Sequence, residues 1–446
     1  MDTPSVDTHY TDDVFGMSRD VPRNYIQRAG VDSELITNLS IGRHIVIFGS
    51  SKQGKTCLRK YCLEPADYVV IQCSNDWDLV ELHSAILKQI GFQIQTSKKI
   101  TTSGANKIEA SISSQLFSLW NAGVGVSTEE ANGTEETYLT LELDPSDVND
   151  VIQAIDETSF HKFIVLEDFH YLPEDTQLSF SVALKAFHEK SNISFIIVGV
   201  WLDENRLIVL NGDLAGRVIS VNADEWSDNE LRSVICEGGK LLNIDFHGQF
   251  VEQLLARSFD SVYVVQEVCR LCCEKENVSE TQDTTRVIGS EHDVDSLVRT
   301  VIDRQGPRFR SFLRLFADGF QQTTLEMYRW LLFPVIMSPV EDLMNGLRSA
   351  EIRALIQDYH PRKSSLNPGS FAKALNSAAS LQVKKGFKPI ILDYDQTSQR
   401  LNVVDKGFLI WLKHQERREL LEEAGFSEAV IAATLSMNLA STPTRL

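Results

Sequence analysis

One short run constrains this chain more than any other. In "HIVIFGSSKQGKT", residues 44–56, five strand-forming residues enter a loop that opens with Gly49 and closes on Gly54, Lys55 and Thr56, where a helix begins. Glycine at both ends lets the backbone wrap, so that the N–H groups of Ser50, Ser51, Lys52 and Gln53 turn inward on phosphate oxygens. The helix starting at Gly54 adds its positive end. Lys55 supplies a point charge to the β and γ phosphates, and the Thr56 hydroxyl suits a magnesium ion. Lys52 is either a second charge near the γ-phosphate or a solvated lysine. Cys57, the last residue of the stretch 49–57, reads as packing one step into the helix. The expected ligand is a nucleoside triphosphate, ATP, with Mg2+.

Such a loop needs acidic partners to hold the metal and activate a water. "FIVLEDFHYL" supplies them, since four apolar residues of a strand lead to Glu167 and Asp168 at its carboxyl end. With Thr56, these two acids form the expected metal set.

The surrounding pattern is α/β. "HIVIF", "YVVIQC", "FIVLE", "SFIIVGV" and "RVISV" are short, β-branched and apolar on both faces, as strands of a parallel sheet covered by helices are. Between them, residues 78–91 and 176–191 carry helical periodicity. Residues 96–143 break the pattern with Ser, Thr and Gly, yet "KIEASIS" and "TYLTLEL" alternate with period two, which predicts a β-rich insertion. Four regions follow: a frayed N-terminus, 1–20; a phosphate-loop core, 21–225; a helical lid, 226–280; and a C-terminal domain, 291–446, beyond a polar break. In the last, a helix at 349–360, a Pro/Gly turn, a second helix at 370–381 and two strands around "QTSQ" give the order of a winged helix.

Charge separates the halves. Residues 1–290 carry 23 basic against 44 acidic side chains, and residues 291–446 carry 20 against 18. Within the second half, Arg348, Arg353, Arg362, Lys363, Lys373, Lys384, Lys385 and Lys388 face only Glu351 and Asp358 over residues 348–388. Arg362, Lys363, Lys373, Lys384, Lys385 and Lys388 are the candidate nucleic-acid contacts, with Lys373 on the helix that would enter a major groove. Docking of a protein is the alternative use of such a face.

Several classes are set aside. The longest apolar run, "WLLFPVIM", is too short to span a bilayer, and the first residues have no basic, apolar leader. Seven cysteines form no paired framework. Cys269, Cys272 and Cys273 share one helical face without a fourth ligand, which reads as core. A reduced, cytoplasmic protein without membrane contact is expected.

The phosphate loop, "FIVLEDFH", the strand "SFIIVGV" and the helical stretch after them resemble P-loop ATPases of the AAA+ and STAND class over roughly residues 22–280. "ED-F-H" is similar to the "DE-x-H" stretch of transposition-regulator ATPases, and the terminal winged helix resembles that of origin-recognition ATPases. The resemblance places Glu167 on the family's magnesium-side Asp and Asp168 on its catalytic Glu, in reversed order. The shorter Asp168 implies slow hydrolysis. It also places Arg217 where many relatives carry an arginine that reaches a neighbour's nucleotide; a surface ion pair is the other reading. Tyr25, Arg28 and Val31 fall on the base-contacting segment. Trp201 stands where Asn or Thr is common, and Arg270 comes late for a lid arginine. Implied with the family are ATP-driven homo-oligomerisation and a switch that presents the C-terminal domain to a separate protein partner or to duplex DNA. The function classes left open are an oligomerising switch, a DNA-binding ATPase of transposition or replication, and a sensor of antiviral defence with a separate effector.

Overall fold

In a computed structural model, the described residues are 7–17, 20–102, 105–113, 138–158, 160–321 and 323–440. The first six residues of the expected frayed tail, residues 114–137 of the expected insertion and the last six of the chain lie outside them.

Five apolar runs form one parallel sheet: β1 (His44–Phe48) and β2 (Tyr68–Gln72), and, later in the chain, the runs Phe163–Glu167, Phe195–Val198 and Val218–Asn222. Three antiparallel strands intervene between β2 and Phe163, namely β3 (Phe92–Thr102), β4 (Ala105–Ser113) and β5 (Tyr138–Leu143), so the later runs are β6, β7 and β8. The parallel order is β2-β6-β7-β1-β8. Every residue of β1 and all of β7 are buried, because helices cover both faces; His44 is the one polar side chain among them, its ring bonded to the backbone of Leu184 and Phe195. The phosphate-loop strand therefore sits centrally, between β7 and β8, with Ile45 opposite both Ile196 and Ile219.

The inserted sheet has the order β3-β4-β5 and starts at Phe92, four residues before the composition change at Thr96. Phe92 explains the difference: it is 2% exposed and packs with the sheet's own core, so the strand begins inside the apolar pattern.

Helices Asp228–Leu242, Gly248–Ser258 and Val262–Lys275 follow the sheet. Ser227 caps the first in a reciprocal box with Glu230. Cys269, Cys272 and Cys273 are buried in their core, and burial pushes all three thiols up. Among the described residues no cluster of His, Cys, Asp or Glu suits a metal, and no helix is long and apolar enough to cross a membrane.

The N-terminus departs from expectation. Residues Thr11–Phe15 form a helix, and Val14 and Phe15 are fully buried among these three helices. The Phe15 ring occupies the space a Cβ on Gly238 would need, 2.2 Å away. One helical turn with two apolar residues has too little periodicity to be read from sequence; its burial is tertiary.

The C-terminal part packs helices against a three-stranded antiparallel sheet of β11 (Leu347–Arg348), β13 (Arg400–Val403) and β12 (Leu392–Asp395), in that order. A parallel pair, β9 (Ile244–Phe246) and β10 (Arg286–Ile288), joins the middle helices to it. Helices Ser349–Tyr359, Pro368–Asn376 and Ala378–Lys384 precede β12.

Candidate functional site

The phosphate loop is built by its own constraints. Gly49 has φ 140°, and a Cβ there would lie 3.0 Å from the Asp224 nitrogen. Gly54 is left-handed at φ 84° and opens the helix Lys55–Cys62. Asp224, just past β8, accepts from the Ser50 amide and hydroxyl, both at 3.0 Å, and so fixes the loop's first turn. Those contacts occupy both the amide and the hydroxyl of Ser50, and neither Gly49 nor Ser50, both expected among the ligand-binding residues, lines the cavity.

Ser51 through Cys57 do line it. The amides of Lys52, Gln53 and Gly54 have no hydrogen-bond partner among the described residues. Backbone donors are seldom left unpaired in a half-buried loop, and a polyanion is the natural acceptor. The Lys55 ammonium donates to the Gly49 and Ser50 carbonyls at 2.9 and 2.6 Å, leaving one donor. Burial pushes its pKa down to about 8. A lysine held this way gains when an anion arrives beside it. Thr56 is exposed at the helix start. These residues fit a polyphosphate with a divalent metal, for which Thr56, Glu167 and Asp168 are the available oxygens; the metal's chemistry would be to neutralise phosphate charge.

The two acids differ. Glu167 ends β6, is 8% exposed, and accepts from Arg59 Nε at 2.9 Å. Asp168 stands in left-handed backbone at φ 57° and accepts from the Gln72 amide. Burial raises both carboxyl pKa values, and Arg59 for the first and Lys55 for the second oppose it.

The cavity holds about 330 Å³ and runs from this loop to an apolar end between residues 16–28 and helix Val262–Lys275. Pro22, Tyr25, Ile26, Val234 and Val262 line that end. Tyr25 donates to Asp32 at 2.6 Å and stacks on Tyr61, with centroids 4.3 Å apart. Arg28 lies over Trp226 at 4.2 Å and donates to the Ala223 carbonyl at 3.1 Å. Both line the cavity, whereas Val31 is buried under the sheet with Leu35 and does not. Asn24 and Gln266 form a reciprocal amide pair, 2.9 Å in each direction, and the Asn24 amide also donates to the Val234 carbonyl, which fixes both orientations. Sequence reasoning missed this pair: a polar residue at 24 and another at 266 carry no local signal.

Other expected residues have different partners or places. Lys52 is not solvated: its ammonium donates to Gln305 Oε1 at 2.8 Å and sits 4.1 Å over the Tyr263 ring. Arg217 is outside the cavity, paired with Glu189 at 2.7 Å and bonded to the Asp213 carbonyl. Arg270 pairs with Glu267 and does not line the cavity; Val262, Tyr263 and Gln266 of the same helix do. Trp201 is fully buried, its ring against Gly199, where no Cβ would fit.

The C-terminal part closes onto this loop. The Ser51 amide donates to the Val404 carbonyl at 2.8 Å, and Pro389 lines the cavity. Lys406 pairs with Asp224 at 3.7 Å, and Arg206 grips the 2%-exposed Asp393 with contacts of 3.0 and 2.9 Å. Tyr171, Val200, Val383, Ile390 and Val404 form a shared apolar cluster. Lys388 belongs to this contact: its ammonium meets Asn75 Oδ1 at 3.0 Å and the Tyr171 ring at 4.2 Å. Lys388 thus differs from the other candidate nucleic-acid residues in touching the phosphate-loop part, although it is exposed as they are. Arg362, Lys363, Lys373, Lys384 and Lys385 are exposed and form no ion pair among the described residues.

No protein-family profile matches the chain, and no curated protein does. Solved structures are similar in fold. The Walker-type ATPase PABY2304 of Pyrococcus abyssi is 12% identical, with a TM-score of 0.45 over 90% of this chain and 99% of its own. The Aeropyrum pernix ORC1 protein, solved in complex with DNA, is 11% identical with a TM-score of 0.42 over 96% and 98%. Thermotoga maritima RuvB is 12% identical with a TM-score of 0.36 over 88% and 96%. At such identities and TM-scores these likenesses decide nothing about ligand or activity.

Proposed function

We propose that this chain is an ATP-binding, slowly hydrolysing switch of the AAA+/STAND kind, whose nucleotide controls how the C-terminal domain sits on the phosphate loop. One observation carries the reading: the Ser51 amide, inside the loop that would bind phosphate, is bonded instead to Val404 of the C-terminal domain. A third phosphate entering beside Lys55 and Ser51 competes for that contact; Lys52 and Pro389 line the same cavity, and Lys406 pairs with Asp224, which holds the loop's first turn. The nucleotide and the docked domain are thereby coupled through shared partners, as a two-state switch requires.

In this account Lys55 and the free amides hold the phosphates, Thr56 and Asp168 serve the magnesium with Glu167 as a third acid beside them, and Asp168 orients the attacking water. Asp168 is short and tied to Gln72, which supports slow turnover. The segment 22–28 and helix Val262–Lys275, a lid in this reading, enclose the base. Released, the C-terminal domain presents its exposed basic face and copies assemble, with Arg217 exchanging Glu189 for a neighbour's nucleotide.

The size of the full chain, measured with ATP, with ADP and without nucleotide, tests this. ATP is expected to shift the particle size and Lys55→Ala to lose the shift; a size independent of nucleotide would refute the switch.

The exposed residues Arg362, Lys363, Lys373, Lys384 and Lys385, none in an ion pair among the described residues, favour a second reading, in which the partner is duplex DNA met by a winged helix. Reversing Lys363 and Lys373 to Glu should weaken duplex binding and flatten its salt dependence by about two phosphate contacts. Salt-independent or undetectable binding by the ATP-loaded chain would remove this reading and leave a protein partner.

A further inference from the structure

Glu167 and Asp168 both line the cavity, yet among the described residues only Glu167 forms an ion pair. Arg59 stands four residues past Lys55, one turn along the same helix face. It is 3% exposed, donates from Nε to Glu167 Oε1 at 2.9 Å, and lies 4.7 Å over the Tyr68 ring. Its NH1 is buried and has no hydrogen-bond partner among the described residues. Tyr68 opens β2, which pairs with β6 from Tyr68↔Phe163 to Gln72↔Glu167. Two strands and a helix therefore fix the guanidinium against Glu167. Asp168, by contrast, accepts from the neutral Gln72 amide and forms no ion pair among the described residues, with the Lys55 and Lys388 charges acting on it without a bond.

We propose that Arg59 is a positioning residue that competes with the divalent metal for Glu167, so that the pocket's magnesium affinity is set by Asp168 and Thr56 while Glu167 is held back. This rests on the nucleotide reading above. A buried carboxylate bound by a guanidinium must give up a charge-assisted hydrogen bond before it can face another cation, and such bonds are among the strongest in proteins. An acid at the end of β6 is thus present in the pocket but restrained. A purely structural ion pair is the competing explanation, and it makes opposite predictions.

The test is the magnesium concentration at which a fluorescent ATP analogue gains its metal-dependent affinity, measured on the full chain. Four proteins form a cycle: wild type, Arg59→Gln, Glu167→Gln and the double variant, whose two amides replace the ion pair with a neutral pair of similar shape. If Arg59 restrains Glu167, Arg59→Gln lowers the midpoint by about tenfold. Glu167→Gln then leaves it within about twofold of wild type, and the double variant returns to the wild-type value. Asp168→Asn raises it. If Glu167 is already a metal-side acid that Arg59 merely supports, Arg59→Gln and Glu167→Gln both raise the midpoint, and the proposal falls. Should Arg59→Gln fail to fold, Glu167→Gln and the double variant still decide, because a raised midpoint in either overturns it. Analogue binding in EDTA separates the two layers. A chain that binds no analogue with or without metal refutes the nucleotide reading; one that binds it but shows no lowered midpoint refutes the role of Arg59 alone.

Discussion

His44 begins the strand that carries the phosphate loop, and its ionisation can be worked out from its neighbours. The side chain is 1% exposed; Nε2–H donates to the Leu184 carbonyl at 3.0 Å, and Nδ1 accepts from the Phe195 amide at 3.1 Å. Only the neutral ring satisfies both contacts. Adding a proton at Nδ1 sets two N–H groups against each other in a buried site, next to His188. Burial accordingly lowers the pKa from 6.5 to about 4. Between those values the unfolded chain binds the proton and the folded one does not, so stability is complete above the unfolded value and falls as the pH drops toward the folded one. The shift corresponds to about 3 kcal/mol. Because β1 is paired to β7 through Ile45↔Ile196, the loss falls on the sheet's centre. Urea unfolding of wild type and His44→Gln near pH 7 and near pH 4 isolates the term, since glutamine keeps a donor and an acceptor but cannot take the proton. Wild type is expected to lose about 3 kcal/mol more than the variant across that interval. Equal acid losses in the two proteins would refute the reasoning.

Three further outcomes follow from the same geometry. Lys55, at about 8, keeps its charge at neutral pH but sheds it in the unliganded pocket above that value, so ATP affinity should fall by about tenfold per pH unit beyond it, read by fluorescence titration. Phe15→Ala should cost on the order of 3 kcal/mol in thermal or urea unfolding, because its ring is fully buried beside Gly238. Arg206→Met should free the C-terminal domain by leaving Asp393 buried and unpaired, a penalty of about 3 kcal/mol, seen as faster proteolysis between the two parts with ATP affinity raised.

The readable part of the fold was the part governed by local pattern. β1, β2, β6, β7 and β8 each announce themselves as short β-branched runs, because both faces of the sheet are covered and no polar alternation dilutes the signal. The phosphate loop is equally local, since glycine geometry and one lysine fix it within eight residues. What escaped notice depends on distant partners. Arg59 meets Glu167 across 108 residues, Asn24 meets Gln266 across 242, and Lys388 reaches Asn75 across 313. The basic residues at 362–388 read as a single patch in sequence, but Lys388, exposed like the others, lies against Asn75 and the Tyr171 ring of the phosphate-loop part. The helix Thr11–Phe15 is too short to show a period, and it owes its order to the pocket that Gly238 leaves for Phe15.

The central claim is that a triphosphate sits on the loop from Ser51 to Thr56 and displaces Val404. Hydrogen–deuterium exchange across residues 49–56 and 400–406, with ATP, with ADP and with neither, tests both halves together. The account predicts that ATP protects the first segment and exposes the second, and that Lys55→Ala abolishes both changes. Unchanged exchange in both segments at saturating ATP, or changes that survive Lys55→Ala, would contradict it.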